Sequence, residues 1–451
     1  MERRKALQIL AAGAAAAGLS ALNGCNKSQA PQIDLNDPTV GKMTYRTNPK
    51  NGDKISLLGY GCMRFPTLGD DKSAIDEEMA QILVDEAIRR GVNYFDTAWP
   101  YHGGNSELFI GKALKKYPRD SFYLASKFPG MRDMTKEEFL EVFPRQLEKC
   151  QVEYFDYYML HNLQNVQDFK KTYEEKGMLN YLLEQKKQGK IRNLGWSFHG
   201  DIEMFNYVLG LDVEWDFALI QINYMDWDVA PDISKRKWAN ENTVAPNAQW
   251  MYEKLTERGI PVIIMEPLLG GRLARLNREA LTLLKTEKPE DPAARWAFRF
   301  VGQLPNVLTV LSGMTYMEHL VENARTYSPL AELTEREMTA LMKAAEAQRG
   351  KHTINCTTCR YCMPCPYGID IPSIFAHYNK CVAEENIPPD AMDPDYARAR
   401  RAYLVSYDRA LPDLRQADKC VGCKRCIPLC PQMIEIPTEM QRLAKLVESL
   451  R

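Results

Sequence analysis

Between about residue 55 and residue 328, short runs rich in β-branched and aromatic residues alternate with amphipathic stretches of helical periodicity. Strict alternation of this kind predicts a parallel sheet. Eight units over about 270 residues have the size of a (β/α)8 TIM barrel, whose chemistry gathers at the C-terminal ends of its strands. A doubly wound open sheet is the alternative, but no G-x-G-x-x-G motif follows the first predicted strand. The predicted strands cover residues 57–63, 92–98, 122–128, 155–161, 191–197, 217–223, 261–267 and 307–313.

Eight of the 12 cysteines form two closely spaced runs near the end of the chain, and a proline follows each run. Such spacing places thiolates on one local turn, which suits a metal centre and strains most disulfides. The second run matches the bacterial iron–sulfur pattern in which three cysteines bind one [4Fe-4S] cluster and the fourth binds another. Zinc is the alternative, but it explains C-x2-C pairs and not two runs that each continue to a fourth cysteine before Pro. The runs are Cys356-x2-Cys359-x2-Cys362-x2-Cys365 and Cys420-x2-Cys423-x2-Cys426-x3-Cys430.

The ferredoxin pattern predicts two [4Fe-4S] clusters with crossed ligation. The first ligand set is Cys356, Cys359, Cys362 and Cys430, and the second is Cys420, Cys423, Cys426 and Cys365. The remaining Cys62, Cys150 and Cys381 have no partner at ligand spacing, so we expect them to be buried, inert thiols.

The N-terminal segment, residues 1–25, has a basic start and an alanine-rich apolar stretch, which is typical of a signal peptide. Arg3 and Arg4 resemble a twin-arginine export signal, and Leu22–Cys25 resembles a bacterial lipobox in which Cys25 would carry lipid. The apolar stretch is short for a membrane-spanning helix, which needs roughly 20 strongly apolar residues. We therefore expect an exported bacterial protein, periplasmic or anchored as a lipoprotein, whose membrane contact is limited to that anchor.

The rest of the chain divides by composition and pattern into four parts. These are a polar linker (26–45), the barrel (46–330), a helical linker (331–351) and a small, mostly helical, ferredoxin-like iron–sulfur domain (352–451). The 58 basic and 59 acidic side chains give a net charge of −1. Nucleic-acid binding therefore has no electrostatic basis in this chain.

Polar residues stand at the C-terminal ends of successive predicted strands, which a closed barrel brings together. Asp96 and Tyr101 follow the second strand, Lys127 ends the third and His161 ends the fourth. Across nearly the whole barrel the sequence resembles the aldo-keto reductase superfamily. The segments that carry the resemblance are FDTAWPYHGGNSE (95–107), ASKFP (125–129), DYYMLHNL (156–163), LGWSFH (194–199), QINYM (221–225) and ENA (322–324). The two cysteine runs look like the ferredoxin-type extension of one branch of that superfamily.

The resemblance implies a catalytic tetrad of Asp96, Tyr101, Lys127 and His161, and the chemistry of carbonyl reduction supports it. A carbonyl that accepts a hydride develops oxyanion character, so it needs a proton donor and further donors aimed at its oxygen. Tyr101 would supply the proton, and the Lys127 ammonium would stabilise the phenolate that remains. Asp96 would hold Lys127 in place, and His161 would orient the substrate oxygen or share its proton.

The resemblance also implies a bound nicotinamide dinucleotide, either NADP or NAD. The residues implied to bind it are Ser197, Gln221 and Asn223 at the nicotinamide and Gly313, Glu322 and Asn323 toward the adenosine. Gly313 and His319 stand where many NADPH-specific relatives carry Lys and Arg, so the expected cation for a 2′-phosphate is missing there.

Two functions fit these features. The preferred one is an oxidoreductase that interconverts a small carbonyl or sugar-derived substrate and its alcohol, with clusters that carry electrons to a partner. The alternative is a barrel that keeps the nicotinamide as a structural or sensing ligand, with clusters used only structurally. The retained tetrad favours the enzyme.

Overall fold

The computed structural model describes residues 34–69, 71–231, 233, 238–349, 353–388, 392–432 and 434–451. The predicted signal peptide and lipobox lie outside these residues. The chain divides into Met1–Pro38 and Thr39–Arg451, and of the first unit only residues 34–38 are described. Within the described ranges, no helix has the length and apolar character that crossing a membrane requires.

The strands of the described residues include a closed eight-stranded parallel barrel. They are β1 (Tyr45–Thr47), β2 (Lys54–Ser56), β3 (Leu58–Gly61), β4 (Tyr94–Asp96), β5 (Tyr123–Phe128), β6 (Phe155–Leu163), β7 (Ile191–Phe198), β8 (Phe217–Gln221), β9 (Val262–Met265) and β10 (Val307–Ser312). Strands β3 to β9 follow one another around the barrel, and β10 pairs with both β9 and β3. This topology confirms the predicted (β/α)8 barrel, and each of the eight predicted strands is present within a few residues of its expected bounds.

Strands β1 and β2 form an antiparallel hairpin that the sequence did not predict. Asn48, between them, donates its side-chain amide to the Tyr157 hydroxyl at 3.0 Å, and this hydroxyl donates to Asp53 at 2.8 Å. Ile55 of β2 is fully buried in the barrel interior. Because Tyr157 is near the beginning of β6, the hairpin closes the N-terminal end of the barrel. Three-residue strands carry too little alternation to be recognised from sequence.

Helices follow the barrel strands, and side-chain caps mark where several begin. Asp76 accepts a hydrogen bond from the Met79 amide, and Thr135 forms a capping box with Glu138. The helices are α1 (Glu77–Arg89), α2 (Asn105–Leu114), α3 (Lys136–Cys150), α4 (Val166–Phe169), which a π-helical turn (Lys170–Glu175) extends, α5 (Met178–Lys187), α6 (Ile202–Gly210), α7 (Ala248–Glu257), α8 (Arg278–Glu287), α9 (Ala293–Gly302), α10 (Met317–Thr326) and α11 (Glu335–Arg349). Short 3-10 turns lie at Cys62–Arg64, Tyr101–Gly104, Arg119–Ser121, Leu269–Ala274, Asp413–Arg415, Ala417–Lys419 and Ile427–Leu429.

Helix α11 lies in the segment predicted as a helical linker, and it packs on the barrel as an outer helix. Its Glu337 forms an ion pair with Arg299 of α9 at 3.0 Å. Gln348 accepts a hydrogen bond from the Asn277 amide at 2.9 Å, and Leu341 is fully buried in the outer core of the barrel. The connection is therefore part of the barrel's packing.

The C-terminal region has a separate small core, in agreement with a mostly helical domain. Its helices are α12 (Ile371–Ala383), α13 (Tyr396–Ala410) and α14 (Ile436–Leu450). Phe375, Tyr403 and Met440 are completely buried between them. The first cysteine run precedes α12 and the second lies between α13 and α14, so most of the cysteines are on loops.

Candidate active site

A buried ion pair lies at the C-terminal rim of the barrel. Lys127 at the end of β5 donates its ammonium to the Asp96 carboxylate on the neighbouring strand β4 and to the Thr97 carbonyl at 2.8 Å. Burial raises the pKa of Asp96, and the Lys127 charge opposes that shift. The other carboxylate oxygen of Asp96 is buried without a hydrogen-bond partner among the described residues. The pair is thus positioned by the two strands that carry it and by the Thr97 carbonyl.

Tyr101 lies beside this ion pair, on the turn that follows β4. The Lys127 ammonium is 4.7 Å from the centre of the Tyr101 ring, on its face. Burial raises the pKa of Tyr101 well above its usual value, and the nearby Asp96 and Glu266 carboxylates act in the same direction. The nearby Tyr361 hydroxyl opposes the shift. In the resting site Tyr101 is therefore a protonated phenol.

His161 of β6 completes the group that the sequence placed at the strand ends. Its ring meets the Tyr101 ring edge to face, with centroids 6.2 Å apart and an interplanar angle of 84°. Burial lowers the pKa of His161 well below its usual value, and the Lys127 charge lowers it further. His161 is therefore a neutral imidazole, and its Nδ1 is buried with no partner in the described part of the chain.

A cavity of about 1370 Å³ opens above Tyr101 and His161. The barrel loops form one side of it, with Arg132 among its lining residues, and the first cysteine run forms the other, including Cys359 and Tyr361. The site therefore lies between the barrel and the C-terminal domain. Sequence reasoning missed Tyr361, because a tyrosine between two cluster cysteines carries no pattern that relates it to a distant strand end.

Contacts from the C-terminal domain also reach the predicted nicotinamide side. The Gln221 amide donates to Asp226 at 3.5 Å and accepts from Gln432, which follows the second cysteine run, at the same distance. Ser197 accepts from the Asn162 backbone amide at 2.7 Å. The contacts of Gln221 are long, and neither Gln221 nor Ser197 is among the residues that line the cavity.

Asn223 differs from Gln221 because its side chain forms short hydrogen bonds within the loop that follows β8. Its side-chain carbonyl accepts from the backbone amides of Met225 and Asp226 at 2.9 Å, and its amide donates to the Asp226 carboxylate at 3.2 Å. Asn223 is completely buried. It therefore shapes the loop after β8 and supports the region around Gln221.

The residues predicted to face the adenosine are likewise bonded within the barrel. Glu322 accepts from Arg295 at 3.0 Å, and Asn323 donates to Ser312 at 3.1 Å. A methyl group on Gly313 would lie 2.6 Å from the Arg64 side chain. The aliphatic part of Arg64 therefore packs against Gly313, and the Arg64 guanidinium donates to Thr358 and Thr357 of the C-terminal domain.

The cysteine runs come together in two neighbourhoods. In the first, burial raises the pKa values of three thiols and the nearby Cys430 raises them further; the three are Cys356, Cys359 and Cys362. In the second, Cys426 is similarly affected by Cys420, Cys423 and Cys365. Four thiols in each neighbourhood fit the ligand number of a [4Fe-4S] cluster. Among the described residues, no three His, Cys, Asp or Glu side chains are already close enough to share one metal ion. The thiols of each set therefore lie near one another but not yet at ligand distances.

The three remaining described cysteines, Cys62, Cys150 and Cys381, are buried and free. Burial raises the pKa of each thiol. They are protonated at neutral pH, which agrees with the expectation of inert thiols.

Known proteins resemble both parts of the chain. The profile of the aldo/keto reductase family matches residues 57–346, and that of the 4Fe-4S dicluster domain matches residues 355–435. L-galactose dehydrogenase of Arabidopsis thaliana is 31% identical over 313 residues, covering 65% of this chain and 90% of the relative. NADH-specific methylglyoxal reductase of Escherichia coli is 26% identical over 314 residues, covering 59% and 88%. The holo form of an aldo-keto reductase from Bacillus halodurans aligns with 68% of this chain and 97% of its own, with a TM-score of 0.53 and 24% identity, a likeness of fold.

Proposed function

Because this chain belongs to the aldo/keto reductase family and carries a C-terminal 4Fe-4S dicluster domain, we propose that it is an NAD(P)-linked oxidoreductase that interconverts a small carbonyl compound and its alcohol. The observation that carries the proposal is the convergence of a phenol, a buried ion pair and a neutral imidazole beside one cavity. Two relatives named for L-galactose and methylglyoxal support a small polar substrate, sugar-derived or otherwise.

In the direction of reduction, Tyr101 gives its proton to the substrate oxygen as the carbonyl carbon accepts a hydride. The Lys127 ammonium, held by Asp96, stabilises the phenolate that Tyr101 becomes. His161 donates a hydrogen bond from Nε2 to the same substrate oxygen. Because burial opposes a charge on its ring, His161 orients the oxygen and leaves proton transfer to Tyr101.

A nicotinamide dinucleotide, when bound, supplies or accepts the hydride. Ser197 and Gln221 are the residues that we propose to hold its carboxamide, and Asn223 supports the loop beside them. Toward the adenosine the proposed contacts are Gly313, Glu322 and Asn323. Either NAD or NADP is compatible with this assignment.

The cysteine neighbourhoods support two [4Fe-4S] clusters with crossed ligation. Four thiolates for each cluster account for all eight cysteines of the two runs. We propose that these clusters exchange electrons with a separate partner protein or serve structurally. A direct path to the dinucleotide is disfavoured, since nicotinamide chemistry proceeds by hydride and clusters pass single electrons.

The export signal, which lies outside the described residues, leads to the proposal that the protein acts outside the cytoplasm of a bacterium. Free nicotinamide is scarce there, so the dinucleotide would stay bound and be recharged by a second substrate at the same tetrad. The contacts of the C-terminal domain favour retention. Gln432 lies against Gln221, and the Thr357 backbone lies so close to Gly270 that an added methyl would be 2.2 Å away.

Anaerobic purification of the full chain tests these assignments together. We expect about eight iron atoms per chain and a substantial fraction of one nicotinamide per chain after gel filtration. Adding a panel of small aldehydes and keto sugars should then oxidise the bound reduced nicotinamide, followed by its absorbance. Zinc, or about four irons, would overturn the two-cluster assignment. An empty protein with rapid cofactor exchange would overturn retention, and bound nicotinamide that no carbonyl oxidises would favour the sensing alternative.

A further inference from the structure

Tyr361 brings a side chain of the cysteine-rich domain into the barrel's site. It is the residue before Cys362 and two after Cys359. It lines the same cavity as Tyr101 and His161, and its hydroxyl lies close enough to Tyr101 to lower the pKa of that phenol. A segment of the C-terminal domain thus reaches the cavity that contains the side chain we assign as proton donor.

The barrel itself fixes this segment in place. Arg64, on the loop after β3, donates to the Thr358 hydroxyl at 3.0 Å and to the Thr357 carbonyl. Thr315 donates its hydroxyl to the Arg64 carbonyl at 2.8 Å. Gly270 has a φ of +67°, and its missing side chain leaves the space into which Thr357 packs. The position of Tyr361 therefore follows from specific contacts with the barrel.

The second constraint on Tyr361 comes from the cysteines. Cys359 and Cys362 flank it and belong to the neighbourhood that also contains Cys430. When these thiols share one cluster, the short backbone between them has little freedom left. Tyr361 is then held from both sides, by the barrel and by the ligated loop.

The Tyr101 oxygen needs such a donor. Its surroundings are buried and contain the Asp96 and Glu266 carboxylates, both of which oppose a negative charge on it. Lys127 faces the ring of Tyr101 and has its ammonium engaged by Asp96 and Thr97. Tyr361, in the same cavity, presents a hydroxyl that can donate to this oxygen.

We propose that Tyr361 is a positioning residue of the catalytic site, donating its hydroxyl to the Tyr101 oxygen and directing the Tyr101 proton toward the substrate. The proposal rests on the proposed function for its reaction. During reduction the Tyr101 O–H bond breaks, its proton forms an O–H bond on the substrate oxygen, and the hydride supplied by the reduced dinucleotide forms the new C–H bond. The electron pair left on Tyr101 accepts the hydrogen bond of Tyr361, which keeps its own proton. Carbonyl reduction thereby depends on the cysteine-rich domain even when no cluster electron takes part.

The isosteric substitution Tyr361→Phe tests this role in the cluster-loaded enzyme. One hydrogen bond to a reacting group predicts a fall in kcat of about three- to tenfold, with KM and nicotinamide affinity changed less than about twofold. The control is Tyr367→Phe, since Tyr367 is half exposed on the same domain and does not line the cavity. Iron content must match the wild type in both. An unchanged kcat, or equal losses in both variants, would overturn the proposal. Tyr361→Leu, which also removes packing, should raise KM in addition.

A second measurement does not depend on turnover. A ring-fluorinated tyrosine placed at position 361 should shift its ¹⁹F resonance when Tyr101 is changed to Phe, whereas the same label at position 367 should not. A resonance at position 361 whose chemical shift is unchanged by Tyr101→Phe would show that the two hydroxyls do not interact. If the wild type reduces no carbonyl but the fluorine shift is still present, the proposed reaction is wrong, whereas the contact between Tyr361 and Tyr101 is supported.

Discussion

The barrel and the cysteine-rich domain hold their functional side chains by different means. Asp96 and Lys127 stand on neighbouring strands in parallel register, so backbone hydrogen bonds fix their separation. The cysteines lie mostly on loops in which Thr358, Arg360 and Lys424 have φ values of 53°, 66° and 62°. Such conformations are costly for residues other than glycine and persist only where the surroundings enforce them. The barrel site is therefore preorganised by its sheet, whereas we expect the loops to need their metal in addition to the contacts that Arg64 makes with the first of them.

Loss of one cluster ligand is the strongest way to test this difference. We expect Cys430→Ser to release about four irons and to open the C-terminal domain to proteolysis, while the circular dichroism of the barrel persists. Binding energy for a metal is also folding energy in small metal-dependent domains. Cys150→Ser is the matched control, since Cys150 is equally buried and lies in α3. A C-terminal domain that stays protected after losing its iron would show that the loops need no metal.

Tyr101→Phe tests the barrel side, where the chemistry should fail and the structure should remain. Removal of a general acid predicts a loss of carbonyl reduction of about a thousandfold, with nicotinamide affinity within about twofold because little contact area is lost. Steady-state kinetics and a binding titration measure the two quantities. Turnover close to that of the wild type would remove Tyr101 from the mechanism.

Lys127→Met should cost both activity and stability, because it leaves the Asp96 carboxylate buried without its cation. Breaking a buried pair typically costs about 3–5 kcal/mol, measured as the free energy of barrel unfolding in urea. Part of this loss should be recovered in the double variant with Asp96→Asn, since no charge then remains buried. For comparison, Lys112→Met breaks an exposed pair with Glu77 and should change stability by less than about 1 kcal/mol. Equal effects at the two sites would contradict a preorganised pair.

The smallest expected effect is a pH dependence in the C-terminal domain. Burial lowers the pKa of His377 to about 4, below the value of about 6.5 in an unfolded chain. As pH falls from 7 toward 5, the unfolded state binds a proton that the folded state does not, so stability decreases, by an amount on the order of 1 kcal/mol. His377→Gln should flatten this dependence relative to the wild type in urea unfolding followed at the two pH values. A slope that is unchanged in the variant would assign the effect to other groups.

Much of the barrel site could be predicted from local sequence. The β-rich runs ended at Asp96, Lys127 and His161, and closure of a parallel barrel brings strand ends to one rim. The adenosine-side prediction was less complete, because Glu322 was expected to face a ligand and is paired with Arg295. An ion pair between residues on α9 and α10 has no signature in either segment alone.

By itself, the sequence determined the parallel barrel, the polar residues at its rim and the two cysteine runs, because each depends on short-range periodicity or spacing. Tertiary structure decided what covers that rim. Tyr361, Arg64 and Gln432 reach the site from segments far apart in the chain, and their meeting depends on how the cysteine-rich domain packs on the barrel. Packing of this kind depends on the shape and charge of entire surfaces. Those surfaces form only when the chain has folded, so local sequence patterns do not reveal them.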